Sequence, residues 1–312
     1  MEEEMDYSPA KKRRHWDKKK WSKTLFVWSF YFPMLAISVV FFFGVNFQTI
    51  LMAFQKEIPN GNAVWSLDNF TRIVREGFDI TNGVFIEGIR NSLLFFTLSI
   101  VVMVPINVIV AYFLFKKIFG YRVFRVLFYL PNILPGLIIA TLFKYITAPD
   151  GSGVLASIFY RMGKSFPNLF GDSHYAIWSL LFYSFWSGFG TGFLLYYTSM
   201  KQITPEILES AQLDGCNWWQ EIVHIIVPLI WPTVAMIIIS MIPTVFSSSG
   251  AVLFFTQGNY GTQTISYWLF EQVKDRVNMN YSTAVGLFFS VLTLPFMFLS
   301  RWLLSRVPEA EY

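Results

Sequence analysis

Long stretches without a charged side chain alternate with short polar segments along this chain. Six windows contain no Asp, Glu, Lys or Arg, namely 24–55, 91–115, 126–143, 173–200, 222–270 and 277–300. Together they take up more than half of the 312 residues. A helix needs about 20 apolar residues to cross a bilayer, and the windows are long enough for that. The pattern predicts an all-α, polytopic membrane protein. It excludes a soluble domain, a disordered chain, a coiled coil and a barrel of alternating strands.

We place six transmembrane helices in these windows, near 25–50, 91–115, 126–144, 175–200, 226–249 and 281–300. The window 222–270 is long enough for two helices, but its second half contains Gln257, Gly258, Asn259 and Gln263. Amides and glycines make a poor membrane helix, because their polar groups need partners in hydrocarbon. Residues 250–280 are therefore expected to lie outside the bilayer.

The distribution of Lys and Arg predicts the orientation. With the N-terminus in the cytoplasm, the short inner segments hold 15 Lys and Arg and the longer outer segments hold 9. Because positive charge favours the cytoplasmic side, both termini are expected there. The predicted division is a basic cytoplasmic arm at 1–23, a first transmembrane helix at 24–55, an external segment at 56–90, a core with five more helices at 91–305, and a cytoplasmic tail at 306–312. The basic arm is either a topology signal or a contact for anionic lipid.

The amino-acid composition excludes several kinds of functional site. Charged residues make up only 14% of the chain, whereas soluble domains carry about 25%. Cys216 is the only cysteine and the three histidines lie far apart, so neither a disulfide nor a metal site is expected. No phosphate-binding loop is present, and Gly188, Gly190 and Gly192 are interpreted as small residues for close helix packing. We expect no cofactor in this chain and no nucleic-acid partner.

The segment 203–228, between the fourth and fifth predicted helices, is the most informative. Pro205 suits the first position of a helix, and Asp214-Gly215 can end one, since Gly accepts the left-handed conformation. Asn217 with Gln220 three residues later forms a capping-box pattern for a second helix. We call this predicted helix–Gly–helix segment the elbow. Its form on the cytoplasmic face indicates a surface that contacts a partner.

The elbow carries a spaced set of residues, Glu209, Ala211, Gly215, Ile225 and Pro228. This spacing resembles the EAA loop of binding-protein-dependent ABC importer permeases, E-A-A-x3-G-x9-I-x-L-P. It departs from that pattern at Ser210, where Ala is usual, and at Val227, where Leu is usual. Weaker matches at 65–70, 90–93 and 125–131 resemble the sugar-transporting branch, to which the larger permease subunit of the maltose transporter belongs. The resemblance covers roughly residues 60–305.

The resemblance implies a type I ABC importer permease in the bacterial cytoplasmic membrane. Such a chain pairs with a second, homologous permease, and a solute-binding protein docks on the outside. Two cytoplasmic ATPase subunits bind ATP and Mg, so the permease itself is not an enzyme. The loop 201–225 would then dock on the ATPase and couple it to the membrane helices. The coupling positions implied are Glu209, Ala211, Asp214 and Gly215. Alternatively, Gly215 is only a helix stop and Glu209 a solvated charge.

The predicted helices contain no charged residue near their centres, which argues against an ion-coupled carrier and fits a neutral, hydroxylated solute such as a sugar. In the fourth helix, Ser184, Ser187, Gly188 and Thr191 share one face by their spacing, and Tyr183 and Trp186 flank them. Polar or small residues near the middle of the third and fifth helices are Asn132, Gly136, Thr244 and Ser247. We predict a solute path along these positions, in agreement with the resemblance; the alternative is that they cement helix packing.

Two other functions are weighed against an importer permease. A stand-alone carrier or channel for a small neutral solute is the main alternative, although no inverted repeat is evident. A membrane-embedded enzyme would need a cluster of His, Asp, Glu or Cys at the membrane boundary, and the sequence offers none.

Overall fold

A computed structural model describes residues 18–57, 63–77, 84–190, 192–275 and 278–307. The chain divides into two units, Met1–Met52 and Ala53–Tyr312. From the first unit, α1 (Lys18–Ser38) continues through a π-helical segment (Val39–Val45) into α2 (Asn46–Ala53), whose last residue begins the second unit. Almost every described side chain of this run is exposed. Since most of these side chains are apolar, the run is suited to lipid rather than to water.

The second unit continues with a two-stranded antiparallel sheet, β1 (Gln55–Glu57) and β2 (Ala63–Trp65). Next to it, Lys56 forms an ion pair with Asp68 at 2.6 Å. The hydrogen bond from Lys56 lowers the pKa of the Asp68 carboxyl. The helices of this unit are α3 (Asp68–Arg72), α4 (Val84–Thr97), α5 (Val104–Phe115), α6 (Tyr121–Ile133), α7 (Gly136–Ile146), α8 (Val154–Arg161), α9 (Ala176–Gly188), α10 (Phe193–Met200), α11 (Pro205–Leu213), α12 (Trp218–Glu221), α13 (Val227–Leu229), α14 (Trp231–Met241), α15 (Gly250–Phe255), α16 (Ile265–Lys274) and α17 (Met279–Leu304). Shorter π or 3-10 segments follow α3, α4, α12 and α14, at Ile73–Gly77, Leu98–Met103, Ile222–Ile226 and Ile242–Thr244.

Three helical runs in the described residues are long and apolar enough to cross a membrane, Trp21–Ala53, Phe85–Phe115 and Met279–Leu304. Two bent pairs would raise the number to five: Tyr121–Ile133 with Gly136–Ile146, bent by 105°, and Trp218–Leu229 with Trp231–Thr244, bent by 75°. The remaining predicted helix, at 175–200, is divided into α9 and α10. The all-α class is confirmed, while the six-helix count and the position of the termini stay predictions.

One helix boundary differs from that expected. The second predicted helix begins with α4 at Val84 rather than near residue 91. Its first turns contain Glu87 and Arg90, and these charges kept the start of the helix out of the uncharged window. Helix α15 packs against α7 and α9, where Phe255 contacts Tyr183 with ring centroids 4.7 Å apart. Part of the segment 250–280 thus packs against other helices, and its place outside the bilayer stays a prediction.

The breaks in the helices have local causes. Leu134 and Pro135 are extended between α6 and α7, as expected for a proline and the residue before it. Between α9 and α10, Gly190 has φ +96°, and a Cβ there would lie 2.2 Å from the Phe128 carbonyl oxygen. Gly190 therefore serves a chain break and a close backbone approach, whereas the sequence interpretation placed it within a packed helix.

The largest apolar core lies where α5 and α10 pack together. The elbow contributes Leu208, Ile222 and Ile226 to it, and α14 contributes Val234 and Ile237. The same cluster of buried side chains thus joins the elbow to α5, α10 and α14.

Candidate coupling elbow and solute cavity

The elbow begins with α11, and Pro205 occupies its first turn as predicted. Leu208 and Ala211 face inward and are buried, whereas Glu209 and Asp214 are exposed. The four residues implied as coupling positions thus divide into a buried Ala211 and an exposed set of Glu209, Asp214 and Gly215. This arrangement holds the helix against the core and leaves its charged edge accessible.

A Schellman turn ends α11. Gly215 has φ +77°, its N–H donates to the Gln212 carbonyl at 3.1 Å, and the Cys216 N–H donates to the Ala211 carbonyl at 3.1 Å. These two bonds satisfy carbonyls that a helix end leaves without partners, and they need a left-handed residue at this position. Nothing lies within 4 Å of where a Gly215 Cβ would sit, so the glycine is required by its conformation and not by crowding.

The second helix of the elbow starts with the predicted capping box. The Gln220 N–H donates to Asn217 Oδ1 at 2.9 Å, and the Asn217 N–H donates to Gln220 Oε1 at 3.0 Å. Each side chain thus satisfies the other residue's backbone donor at a helix start. The angle between the two elbow helices is held by this box on one side of Gly215 and by the Schellman turn on the other.

Replacing Asn217 with Ala should lower the free energy of unfolding by about 1 kcal/mol, because the cap would lose its acceptor. Thermal unfolding of the purified chain in detergent measures the change. Asn217→Ser is the matched control and should retain most of the stability, since Ser also caps helices. A loss as large in the serine variant would mean that the cap is not what Asn217 contributes.

The surface of the elbow presents large apolar side chains. Leu213 is 89% exposed, and Trp218 and Trp219 are each 51% exposed. Trp218 also packs on Phe113 of α5, with ring centroids 5.7 Å apart. Beside Leu213 runs an open groove lined by Glu206, Ile207, Ser210, Ala211, Asp214, Cys216 and Ile225. A protruding apolar tip next to an acidic groove is typical of a protein-docking surface.

A buried ion pair behind the elbow was not predicted. Glu221 ends α12 and is only 4% exposed, and Lys116 Nζ lies 2.5 Å from its Oε1. The Tyr112 hydroxyl donates to Oε2 at 3.1 Å. The signal was available, since Lys116 directly follows one uncharged window and Glu221 directly precedes another.

A cavity of about 380 Å³ lies within the second unit. It is bounded by the run from α4 to α5, by α9 and α10, and by α14 with residues 248–252. Its polar lining residues are Ser99, Asn107, Ser184, Tyr196, Ser248 and Ser249, and the rest of the wall is apolar or glycine. No Asp, Glu, Lys or Arg is among the lining residues that the structure describes. A wall of this kind suits a neutral ligand with hydroxyl groups.

The predicted path residues lie in different places. Ser184 and Gly188 line the cavity. Tyr183 and Trp186 belong to an aromatic cluster around Phe143. Ser187 is partly buried and does not line the cavity.

The path residues predicted in the third and fifth helices do not line the cavity. The Asn132 amide donates to the Phe189 carbonyl at 2.8 Å, next to the break. Gly136 is exposed beside Phe254. Thr244 and Ser247 are exposed, and the Thr244 hydroxyl donates to the Met241 carbonyl. Helix α9 ends at Gly188, so the single face that was expected to run to Thr191 is interrupted, and Thr191 lies outside the described residues.

Two cavity residues were missed in the sequence. The buried Asn107 accepts the Gly190 N–H at 3.3 Å. Tyr196 is 0% exposed, and its hydroxyl has no hydrogen-bond partner among the described residues. An amide within the apolar second helix is a signal that could have indicated Asn107. The sequence contains no such signal for Tyr196, because only the packing shows which of the neighbouring residues Tyr196 and Tyr197 points inward.

Within the described ranges, no three side chains of His, Cys, Asp or Glu lie close enough together to hold a metal ion.

The elbow and most of the cavity lie in a region that matches a known protein family. The model of the binding-protein-dependent transport system inner membrane component matches residues 103–308, which include the elbow and most of the cavity. The chain belongs to this family. As one of these inner membrane components, it is a transport protein of the cell membrane.

Two relatives of this inner membrane component are named as permease proteins of sugar transport systems. The arabinooligosaccharides transport system permease protein AraP of Bacillus subtilis (strain 168) is 23% identical over 290 residues, covering 91% of this chain and 90% of AraP. The multiple sugar-binding transport system permease protein MsmF of Streptococcus mutans is 23% identical over 267 residues, covering 85% of this chain and 90% of MsmF.

Solved structures share the fold of this inner membrane component. A chain of a bacterial ABC transporter involved in the import of the acidic polysaccharide alginate matches with a TM-score of 0.79 at 20% identity, covering 93% of this chain and 98% of that one. The same kind of transporter, in complex with an alginate pentasaccharide-bound periplasmic protein, matches with a TM-score of 0.80, covering 94% and 99%. The chain therefore has the ABC importer permease fold.

Proposed function

We propose that the chain is the permease subunit of an ATP-driven importer of a neutral, hydroxylated solute, a sugar or an oligosaccharide. The observation that carries this proposal is the elbow, in which a Schellman turn and a capping box fix a protruding tip. Its residues match the EAA pattern, and the named relatives transport arabinooligosaccharides or multiple sugars. The bacterial cytoplasmic membrane is the expected location.

The proposed partners follow from the same reasoning. The chain would pair with a second, homologous permease and receive solute from an extracytoplasmic solute-binding protein. The elbow would dock on one of two ATPase subunits, which bind ATP and Mg and carry out the hydrolysis. Exposed Leu213 would supply apolar contact, and Glu209 and Asp214 would supply charge for recognition. The chain itself would contribute positioning and no bond chemistry.

The proposed solute site is the cavity between α5, α9, α10 and α14. A sugar needs hydrogen-bond partners for its hydroxyls together with apolar walls for its ring faces. Ser184, Asn107 and Tyr196 would supply the first, and Phe95 and Met241 the second. The wall has no ionisable Asp, Glu, Lys or Arg among its described residues, which favours an uncharged solute.

Reconstitution tests the proposed function. The chain is purified with its partner permease, ATPase and solute-binding protein, and the complex is placed in liposomes. We expect ATP hydrolysis that rises with the solute-loaded binding protein and is accompanied by solute uptake. Thermal shift of the binding protein with a panel of mono- and oligosaccharides identifies the solute, since a ligand raises stability by mass action. Solute flux through the chain alone would refute the proposal and favour an independent carrier, and ATP hydrolysis by the chain alone would refute it by making the chain an enzyme.

A further inference from the structure

Glu221 is bound to the end of α5 through both of its carboxylate oxygens. One oxygen pairs with Lys116 Nζ at 2.5 Å, and the other accepts the Tyr112 hydroxyl at 3.1 Å. Lys116 also lies over the Tyr112 ring at 5.7 Å. The residues of this set, which we call the Glu221 clamp, are Tyr112, Lys116 and Glu221. An ion pair to one carboxylate oxygen and a hydrogen bond to the other thus link α12 to the end of α5.

The clamp is poorly explained as a source of stability. Glu221 is 4% exposed, and taking a carboxylate out of water costs several kcal/mol. Such buried pairs are often replaced by apolar side chains with no loss of stability. Nor is the clamp needed to hold the elbow near the membrane helices, because Leu208, Ile222 and Ile226 already pack in the core that does so. Its particular contribution is a directional link.

That link leads to the proposed solute site. Helix α5 runs from Val104 to Phe115, and its first turns supply Val104 and Asn107 to the cavity wall. Asn107 lies nine residues before Lys116, which corresponds to about 14 Å of helix. The helix also packs along α10, which carries Tyr196. Helix α5 therefore connects the clamp at one end to the cavity wall at the other.

We infer that the Glu221 clamp is a positioning element that couples the elbow to α5, so that ATPase-driven movement of the elbow changes the shape of the cavity. This inference rests on the proposed importer function. The inference assigns a role to residues outside the EAA positions. The clamp acts through α5, which is a second route beside the direct chain connection from the elbow to α14.

The reconstituted complex tests the clamp. In the double variant Lys116→Met with Glu221→Leu, apolar side chains replace the pair as a unit, which avoids leaving one buried charge alone. We expect normal assembly and an unchanged melting temperature, together with a fall of about fivefold in solute transported per ATP hydrolysed, at the lower end of ordinary coupling between sites. The matched control is Lys117→Met on the neighbouring exposed lysine, and it should leave the ratio unchanged.

Single substitutions add an independent readout. Because the clamp acts as one link, Glu221→Gln alone, which leaves no buried carboxylate without a partner, and the double variant should reduce the ratio by similar factors rather than additively. If the double variant fails to assemble, the ratio of solute transported per ATP hydrolysed is measured in Glu221→Gln instead. This variant keeps the shape of the side chain and removes the charge. A ratio within twofold of wild type in whichever variant assembles overturns the inference. Failure of the proposed function would look different, because the wild-type complex would then show no ATP-dependent uptake.

Discussion

The substitution Gly215→Asp is expected to reduce ATP-dependent uptake to the background of empty liposomes while the chain remains in the membrane. Asp is among the side chains that enter the left-handed region most readily, at a cost of roughly 1–2 kcal/mol or less. With no atom within 4 Å of the added Cβ, the fold of the chain is expected to survive. The variant places a second carboxylate beside Asp214 at the tip that we propose docks on the ATPase subunit. Co-purification of the ATPase subunits and uptake by the reconstituted complex measure the effect.

The chain offers a closely matched control. Gly163 follows α8 and also combines a positive φ, +73°, with no atom within 4 Å of where its Cβ would sit. Gly163→Asp therefore imposes the same backbone strain and the same charge away from the elbow. It should bind the ATPase subunits and transport normally. If Gly215→Asp also transported at the wild-type rate, the elbow would not be the site of coupling.

Removing the Tyr196 hydroxyl should stabilise the chain and impair transport. A buried hydroxyl without a partner costs about 1–3 kcal/mol, so Tyr196→Phe should raise the free energy of unfolding by about 1 kcal/mol. If that hydroxyl bonds the solute in the cavity, the same variant should raise the KM for uptake by up to about tenfold, which equals the ~1.4 kcal/mol that one hydrogen bond contributes. Thermal unfolding and uptake at several solute concentrations measure the two effects.

The opposite signs of these effects make the test specific. Tyr197→Phe is the control, because that neighbouring ring is only partly buried and does not line the cavity. It should change neither quantity. Lower stability in Tyr196→Phe would mean that the hydroxyl has a structural partner, and an unchanged KM would remove Tyr196 from the solute site.

The elbow could be predicted from the sequence because its structure is local. Pro205, Gly215, and the pair Asn217 and Gln220 each act within a few residues, so the pattern of residue types alone indicates the helix start, the turn and the cap. The Schellman bonds and the capping box are present at those positions. The coupling roles of Glu209, Ala211, Asp214 and Gly215 rest on the family resemblance and stay predictions.

The cavity could not be predicted in the same way. A face of Ser184, Ser187, Gly188 and Thr191 assumes one straight helix, and apolar length does not distinguish a straight helix from a broken one. The break after Gly188 depends on the approach of the Phe128 carbonyl from another helix, which is a tertiary contact. Asn107 and Tyr196 enter the wall through the packing of α5 against α10, between parts of the chain far apart in sequence.

The break between α9 and α10 is held on three sides. The Asn132 amide binds the carbonyl of Phe189, Asn107 receives the N–H of Gly190, and the Phe128 carbonyl leaves no room for a side chain at Gly190. We expect a segment fixed in this way to act as a pivot, at which α9 and α10 change their mutual angle rather than slide past α6. Movement at such a pivot would let one end of this predicted span open while the other end stays shut.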